Sequence, residues 1–322
     1  ALFYAETAFK LDNKNTYNYF LLIAVYTALQ QDENAEKIYK SLIKLEEKEE
    51  YYFEMASFYL RKQKIDDALG VYGEMDKKFG HSQEIIRRRQ LLYLQTGDME
   101  SALKEGQILI ENFPEESVYK LRQVELLLNE KQTESAKKML VEIIESGIQD
   151  PSIYLLQAQI YENEKNTEGL TEALKKAFSS RELPENVKLS LLKEFYNRAV
   201  FDTSWSKIGL DLTNIALEQH DNANLYVFKG HYLLLQEKIN EGHDAYMISL
   251  DKNENNFEIW QTVLQLDIET KNYDNLLKES ETALEIFPNQ ATFWYYNGTA
   301  HWFKKNYEEA AFALEQGKRI LV

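Results

Sequence analysis

Thirty-four residues before Trp294 stands Trp260, and thirty-four before that stands Tyr226. The same step carries Ala68 to Ala102 and Ala102 to Ala136. Tyr26, Tyr59, Tyr93 and Tyr161 keep a related phase, and Pro114 and Pro288 close equivalent stretches in ENFPEES and EIFPNQA. A register of this length marks one helix–turn–helix unit used many times. Such a unit buries its apolar face only by stacking on its neighbours, so the register constrains the fold more than any single motif does.

In this phase, units begin near Thr16, Glu49, Gln83, Ser117, Pro151, Glu185, Ala223, Phe257 and Ala291, and 1–15 reads as the second helix of a further unit. The first helix carries a large residue (Tyr19, Tyr52, Tyr154, Tyr226, Trp260, Trp294), often followed four residues later by a small one, as at Ala56, Ala158, Gly230 and Gly298. The second helix holds Ala35, Ala68, Ala102, Ala136, Gly242 or Ala310 where two helices must approach closely. Apolar residues three and four apart make the buried stripe of each helix. Polar stretches such as QQDEN, RKQKIDD, NEKQT and KKNYE are the turns between paired helices, and Gly97 in QTGDM suits a left-handed helix terminus. The unit from Glu185 is longer and less regular: VFDTSW widens its turn, and Lys188 and Lys193 make its first helix less typical.

This pattern resembles the tetratricopeptide repeat (TPR) family over almost the whole chain, with Trp294, Gly298, Tyr307 and Ala310 the nearest single match and His301 standing where the family has a Tyr. The resemblance implies an all-α, right-handed superhelical solenoid of about nine helix–turn–helix repeats, read as one stretch over 1–322. It also implies a protein-interaction scaffold that takes an extended peptide or partner helix on its concave face. On the family's pattern, inner-face positions hold Arg87, Arg88, Leu91 and Leu94 in the third unit and Leu121, Arg122 and Glu125 in the fourth. They hold Phe228, His231, Leu234 and Leu235 in the seventh unit, and Tyr295, Tyr296, Thr299, Trp302 and Phe303 in the last. The resemblance thus implies a basic band and, further along, an aromatic band. The family's clamp for a C-terminal carboxylate needs Lys and Asn at places that hold Phe20, Ala24, Phe53 and Ser57 here, which argues against that mode.

Composition narrows the function classes. Four Pro and 12 Gly in 322 residues leave long helices uninterrupted. There is no Cys, so disulfides and thiol catalysis are excluded. The five histidines lack any short metal-binding spacing, and glycines occur singly rather than in a phosphate-cradling loop, so no catalytic, cofactor or metal site is expected. A net charge of −16 opposes RNA reading and attachment to an acidic leaflet, both of which need basic tracks. The longest apolar run, YFLLIAVYTAL, is too short to span a bilayer.

Arg87, Arg88 and Arg122 form the expected anion-binding cluster, with Leu91 and Leu94 for an adjacent apolar side chain and an acidic or phosphorylated peptide as ligand. The bland alternative pairs these arginines with Glu84 and Glu125. Trp302 and Phe303 fall outside the packing phase and are expected to offer a second contact. Leu314, Ile320 and Leu321 have no following residues to cover them, so the expectation is a longer natural protein, with end-to-end self-association as the alternative. A second reading makes the chain the non-catalytic repeat region of a larger enzyme or envelope assembly. The Lys- and Asn-rich sequence suggests a bacterial source, and its similarity to long acidic repeat proteins often exported to the cell envelope implies the envelope or periplasm.

Overall fold

The computed structural model describes residues 1–321, and among them every regular element is an α-helix. The helices divide between two compact units, Ala1–Ile148 and Gln149–Val322. The first unit contains α1 (Leu2–Leu11), α2 (Thr16–Ala28), α3 (Asp32–Leu45), α4 (Glu49–Arg61), α5 (Ile65–Phe79), α6 (Gln83–Thr96), α7 (Met99–Asn112), α8 (Ser117–Asn129) and α9 (Thr133–Glu145). The second contains α10 (Pro151–Asn163), α11 (Thr167–Ser179), α12 (Glu185–Ala199), α13 (Ser204–Leu217), α14 (Ala223–Leu235), α15 (Ile239–Lys252), α16 (Phe257–Glu269), α17 (Tyr273–Ile286), α18 (Ala291–Phe303) and α19 (Tyr307–Ile320). From α2 onward each even-numbered helix packs on the next odd-numbered one as a hairpin, and within each unit successive hairpins stack.

Close approach explains the small residues. Ala35, Ala68, Ala102, Ala136 and Ala310 are all essentially buried, each in the first turn or so of a second helix. Aromatic side chains fill the space between hairpins. Tyr19, Tyr39, Tyr52, Phe58 and Tyr72 belong to one buried cluster of the first unit. Ile259, Trp260, Val263, Leu276 and Phe293 belong to one in the second. Burial of such rings is the main favourable contribution to stability, and the Trp260 Nε1–H keeps a partner in the Glu254 carbonyl (2.8 Å).

The turn inside the hairpin repeats as faithfully as the helices. Gln30, Gln63, Gly97, Lys131, Lys165, Glu237, Lys271 and Lys305 all adopt positive φ, between 58° and 78°. The next residue's amide reaches back to a carbonyl five residues earlier, as from Gln132 to Leu127 (2.8 Å) and from Asp98 to Tyr93 (2.9 Å). These are the bonds of a Schellman-type helix end. Only Gly97 occupies that conformation without a Cβ penalty. Lys131→Gly is therefore expected to stabilise the first unit by about 0.5–1 kcal/mol, after the glycine's greater unfolded-state freedom is subtracted. Urea titration followed by circular dichroism measures this; an unchanged or lowered midpoint would show that the left-handed turn carries no strain.

The α12–α13 hairpin departs from this scheme. Its turn has no left-handed residue, Val200 continues in right-handed backbone, and Phe201 stands almost fully exposed. Here α11 packs against α13 and α12 against α14. Lys188, an irregularity in the sequence pattern, is fully buried. Its ammonium donates to the Ser180 carbonyl (3.0 Å) and to Gln219 Oε1 (2.7 Å), while Gln219 Nε2 donates to the Phe178 carbonyl (3.0 Å). Burial pushes its pKa down from the ordinary lysine value. The polar tie joins the α11–α12 connection to the end of α13.

Candidate binding cleft

Residues Arg87, Arg88 and Arg89 are consecutive on α6, so helix geometry points them in three directions, about 100° apart. Arg89 turns inward and forms ion pairs with Glu105 and with Asp76 (3.5 Å). Burial pushes the Glu105 carboxyl up, and the Arg89 charge opposes that shift. Arg88 lies over the Phe53 ring, 5.2 Å from its centroid, and its Nε donates to Glu84 Oε1 (2.6 Å). Arg87 turns elsewhere, onto the face it shares with Leu91 one turn later.

That face borders a cleft of about 300 Å³ between α6 and α8. Gln83, Arg87, Gln90 and Leu91 form one wall; Glu116, Val118, Tyr119 and Arg122 form the other. Both helices are held against α7 by buried amides. Gln90 Nε2 donates to the Ala102 carbonyl (3.1 Å), and Gln123 Nε2 donates to the Leu103 carbonyl (3.0 Å). Gln83 also donates across the cleft to the Tyr119 hydroxyl. The walls are thus fixed by hydrogen bonds behind and across them, which lowers the ordering cost of binding.

Arg87 and Arg122 are both exposed, and among the described residues neither makes an ion pair, a side-chain hydrogen bond or a ring contact. Of the pairings that would absorb the arginines internally, only Arg88–Glu84 forms. Two open guanidiniums, one carboxylate (Glu116) and the apolar side chains Leu91 and Val118 make a site suited to an anion next to an apolar group. Leu94 is partly buried on the same helix and does not line the cleft. Nothing in the sequence spacing signalled Gln83, Val118 or Tyr119; they enter because adjacent hairpins stack.

The aromatic positions of the second unit separate into two groups. His231 is packed: its ring stacks on Tyr196 at 4.8 Å and meets Phe228 edge-on at 6.2 Å, and Nδ1 is 2.6 Å from the Tyr246 hydroxyl. Burial pushes its pKa below the usual histidine value, favouring the neutral ring. Tyr296 is also buried, donating its hydroxyl to Gln265 Oε1 (3.1 Å). By contrast Tyr295, Trp302 and Phe303 are each more than half exposed. Trp302 rests edge-on against Tyr307 (5.2 Å), and Phe303 stacks on Tyr273 (4.2 Å).

A second polar cluster lies in the same unit. His243 (α15), Asp267 (α16) and Glu279 (α17) meet below the surface. Hydrogen bonds to Asp267 and then Glu279 push the His243 pKa up to about 10, and burial pushes that of Glu279 up.

Alternating first and second helices, buried alanines at the crossings and the recurring left-handed turn define the class: a TPR-like helical-repeat protein. No family model matches the chain, and no curated protein matches it. Among solved structures, it is similar to a tetratricopeptide repeat protein from Parabacteroides merdae at 17% identity, with 78% of this chain and 98% of that one covered and a TM-score of 0.44. It is also similar to MamA (14% identity, 51% and 93% covered, TM-score 0.38). A third similar structure is YrrB, described as a TPR protein with an unusual peptide-binding site (18% identity, 67% and 91% covered, TM-score 0.34).

Proposed function

We propose that the chain is a protein-interaction scaffold without its own catalysis, whose first unit holds an acidic peptide segment between α6 and α8. The observation that carries this reading is the pair of unpartnered guanidiniums, Arg87 and Arg122, sharing one cleft on a chain of net charge −16. Carboxylates are abundant here, so arginines without an internal partner are available to an incoming one. Leu91 and Val118 take an apolar side chain beside the anion, and Glu116 disfavours a further acidic group at the start of α8. The first-helix position of both arginines agrees with peptide docking on an inner face. Tyr295, Trp302 and Phe303 supply a separate apolar contact surface on α18.

Fluorescence polarisation tests the proposal with a labelled peptide of core Glu-Leu-Glu in a Gly/Ser context and its Gln-Leu-Gln counterpart. The acidic peptide is expected to bind at least tenfold more tightly, because each glutamine loses the charge-assisted bidentate contact. Equal affinity, or no binding by either, would remove the acidic-ligand assignment. Similarity to long acidic repeat proteins exported to the cell envelope is the ground for proposing a bacterial envelope location, and recovery of the native protein solely in the cytosolic fraction would contradict it. Among the described residues no helix is long and apolar enough to cross a membrane.

A further inference from the structure

His243, Asp267 and Glu279 come from three successive helices and lie far apart in sequence, yet their ligand atoms all fall within 4.8 Å of one another. His243 Nε2 is 3.3 Å from Asp267 Oδ1 and 3.1 Å from Glu279 Oε2. The three side chains are only 12%, 2% and 8% exposed, respectively. One ring nitrogen therefore faces two buried carboxylates while carrying at most one hydrogen. A single N–H shared between two acceptors leaves both underbonded, and Asp267 Oδ2 is buried with no hydrogen-bond partner at all. A protonated His243 offsets only one of the two carboxylate charges, and the second is costly at this depth unless it takes a proton or a further cation is present.

A divalent ion would supply the missing charge and a partner for each of the three facing ligand atoms. With a neutral imidazole and two carboxylates the charges sum to zero, and every donor atom has a full bond. Tetrahedral coordination with bonds of about 2.0–2.2 Å places neighbouring ligand atoms about 3.3–3.6 Å apart. The two N···O separations already lie within a few tenths of an ångström of that edge. A cavity of about 210 Å³, bordered by His243, Asp267, Asn240, Asn272 and Asn275, gives access and room for a water ligand. On the far side of the ring, Nδ1 faces the exposed Asp244 carboxylate at 3.8 Å.

We propose that His243, Asp267 and Glu279 form a binding site for a divalent transition-metal ion of the zinc type, with water completing the tetrahedron. The mixed nitrogen–oxygen set of three suits zinc and its first-row neighbours. Calcium is disfavoured because it takes six to eight oxygens, and magnesium because it dehydrates reluctantly. The ion would tie α15 to α16 and α17, linking two successive hairpins, so binding should stabilise the fold by mass action.

The test uses the whole chain after chelator treatment and dialysis, titrated calorimetrically with zinc chloride and melted with and without the ion. One bound equivalent and a raised melting temperature are expected. Asp267→Asn and Glu279→Gln keep side-chain volume, and each should weaken zinc at least tenfold. His81→Asn and His220→Asn should leave affinity unchanged. Calcium and magnesium chloride at the same concentrations should have no comparable effect. Absence of saturable binding overturns the proposal, as does unaltered binding in both carboxylate variants or equal binding of calcium. If either carboxylate variant loses helicity, cobalt(II) absorbance on the wild-type chain decides. Tetrahedral visible bands displaced by one equivalent of zinc support the site, and a weak octahedral spectrum refutes it.

Discussion

Gly209→Ala is expected to destabilise the second unit by about 2–3 kcal/mol, although alanine is the better helix former. A Cβ at this position on α13 would stand 2.1 Å from Tyr232 Cζ and 2.2 Å from Cε1. The ring has no easy retreat: Tyr232 is fully buried, its hydroxyl donates to the Leu192 carbonyl at 2.6 Å, and Tyr196 meets it edge-on at 6.0 Å. Overpacking costs about 1–3 kcal/mol, and displacing the buried Tyr232 hydroxyl from its acceptor costs about 1–3 more. Helix propensity returns only about 1 kcal/mol. The same substitution at Gly70 on α5 meets nothing within 4 Å, so Gly70→Ala should instead stabilise by about 0.5–1 kcal/mol. Denaturant titrations of the two variants should therefore move in opposite directions. Movement of both to higher stability would mean the Tyr232 packing is far looser than its geometry implies.

Reversing both cleft arginines, Arg87→Glu with Arg122→Glu, is expected to weaken the Glu-Leu-Glu peptide about 100-fold or more. Attraction becomes repulsion at two points. Partly exposed charge pairs are each worth about 1 kcal/mol, like charges brought together cost further, and about 1.4 kcal/mol corresponds to tenfold in affinity. Helicity should be unchanged, because neither side chain takes part in an ion pair or side-chain hydrogen bond among the described residues. The control is an equal change in net charge elsewhere, Lys104→Glu with Arg319→Glu, at exposed residues paired within their own helices to Glu100 and Glu315. A loss of similar size in the control would reduce the effect to general repulsion by an acidic protein.

The hairpin register was legible in the sequence because it rests on residues with one geometric duty each. Ala35, Ala68, Ala102 and Ala136 can only mark close crossings, and all four are buried there. The irregular hairpin announced itself through its length and Lys188, but the bond from that ammonium to Gln219 joins residues from separate helices and left no local trace. Arg87 and Arg122 were singled out from the repeat phase, and both border the cleft between α6 and α8. That Arg88 turns to Glu84 and Phe53 depends on rotamers and on the preceding hairpin. Likewise Tyr296 and His231 were expected on the binding face, but their rings pack among neighbouring side chains while each polar atom finds a partner. The His243 cluster was invisible because its members are brought together by three packed helices rather than by spacing along one.

A charge-swap rescue tests the central claim most directly. The dissociation constants of Glu-Leu-Glu and Lys-Leu-Lys peptides are measured against the wild-type chain and the Arg87→Glu, Arg122→Glu variant at one ionic strength. If these two side chains hold the ligand's carboxylates, the acidic peptide binds only the wild type with appreciable affinity, and the basic peptide prefers the variant by at least tenfold. Retention of the acidic peptide by the variant at wild-type affinity would contradict the account and place the binding surface outside the α6–α8 cleft.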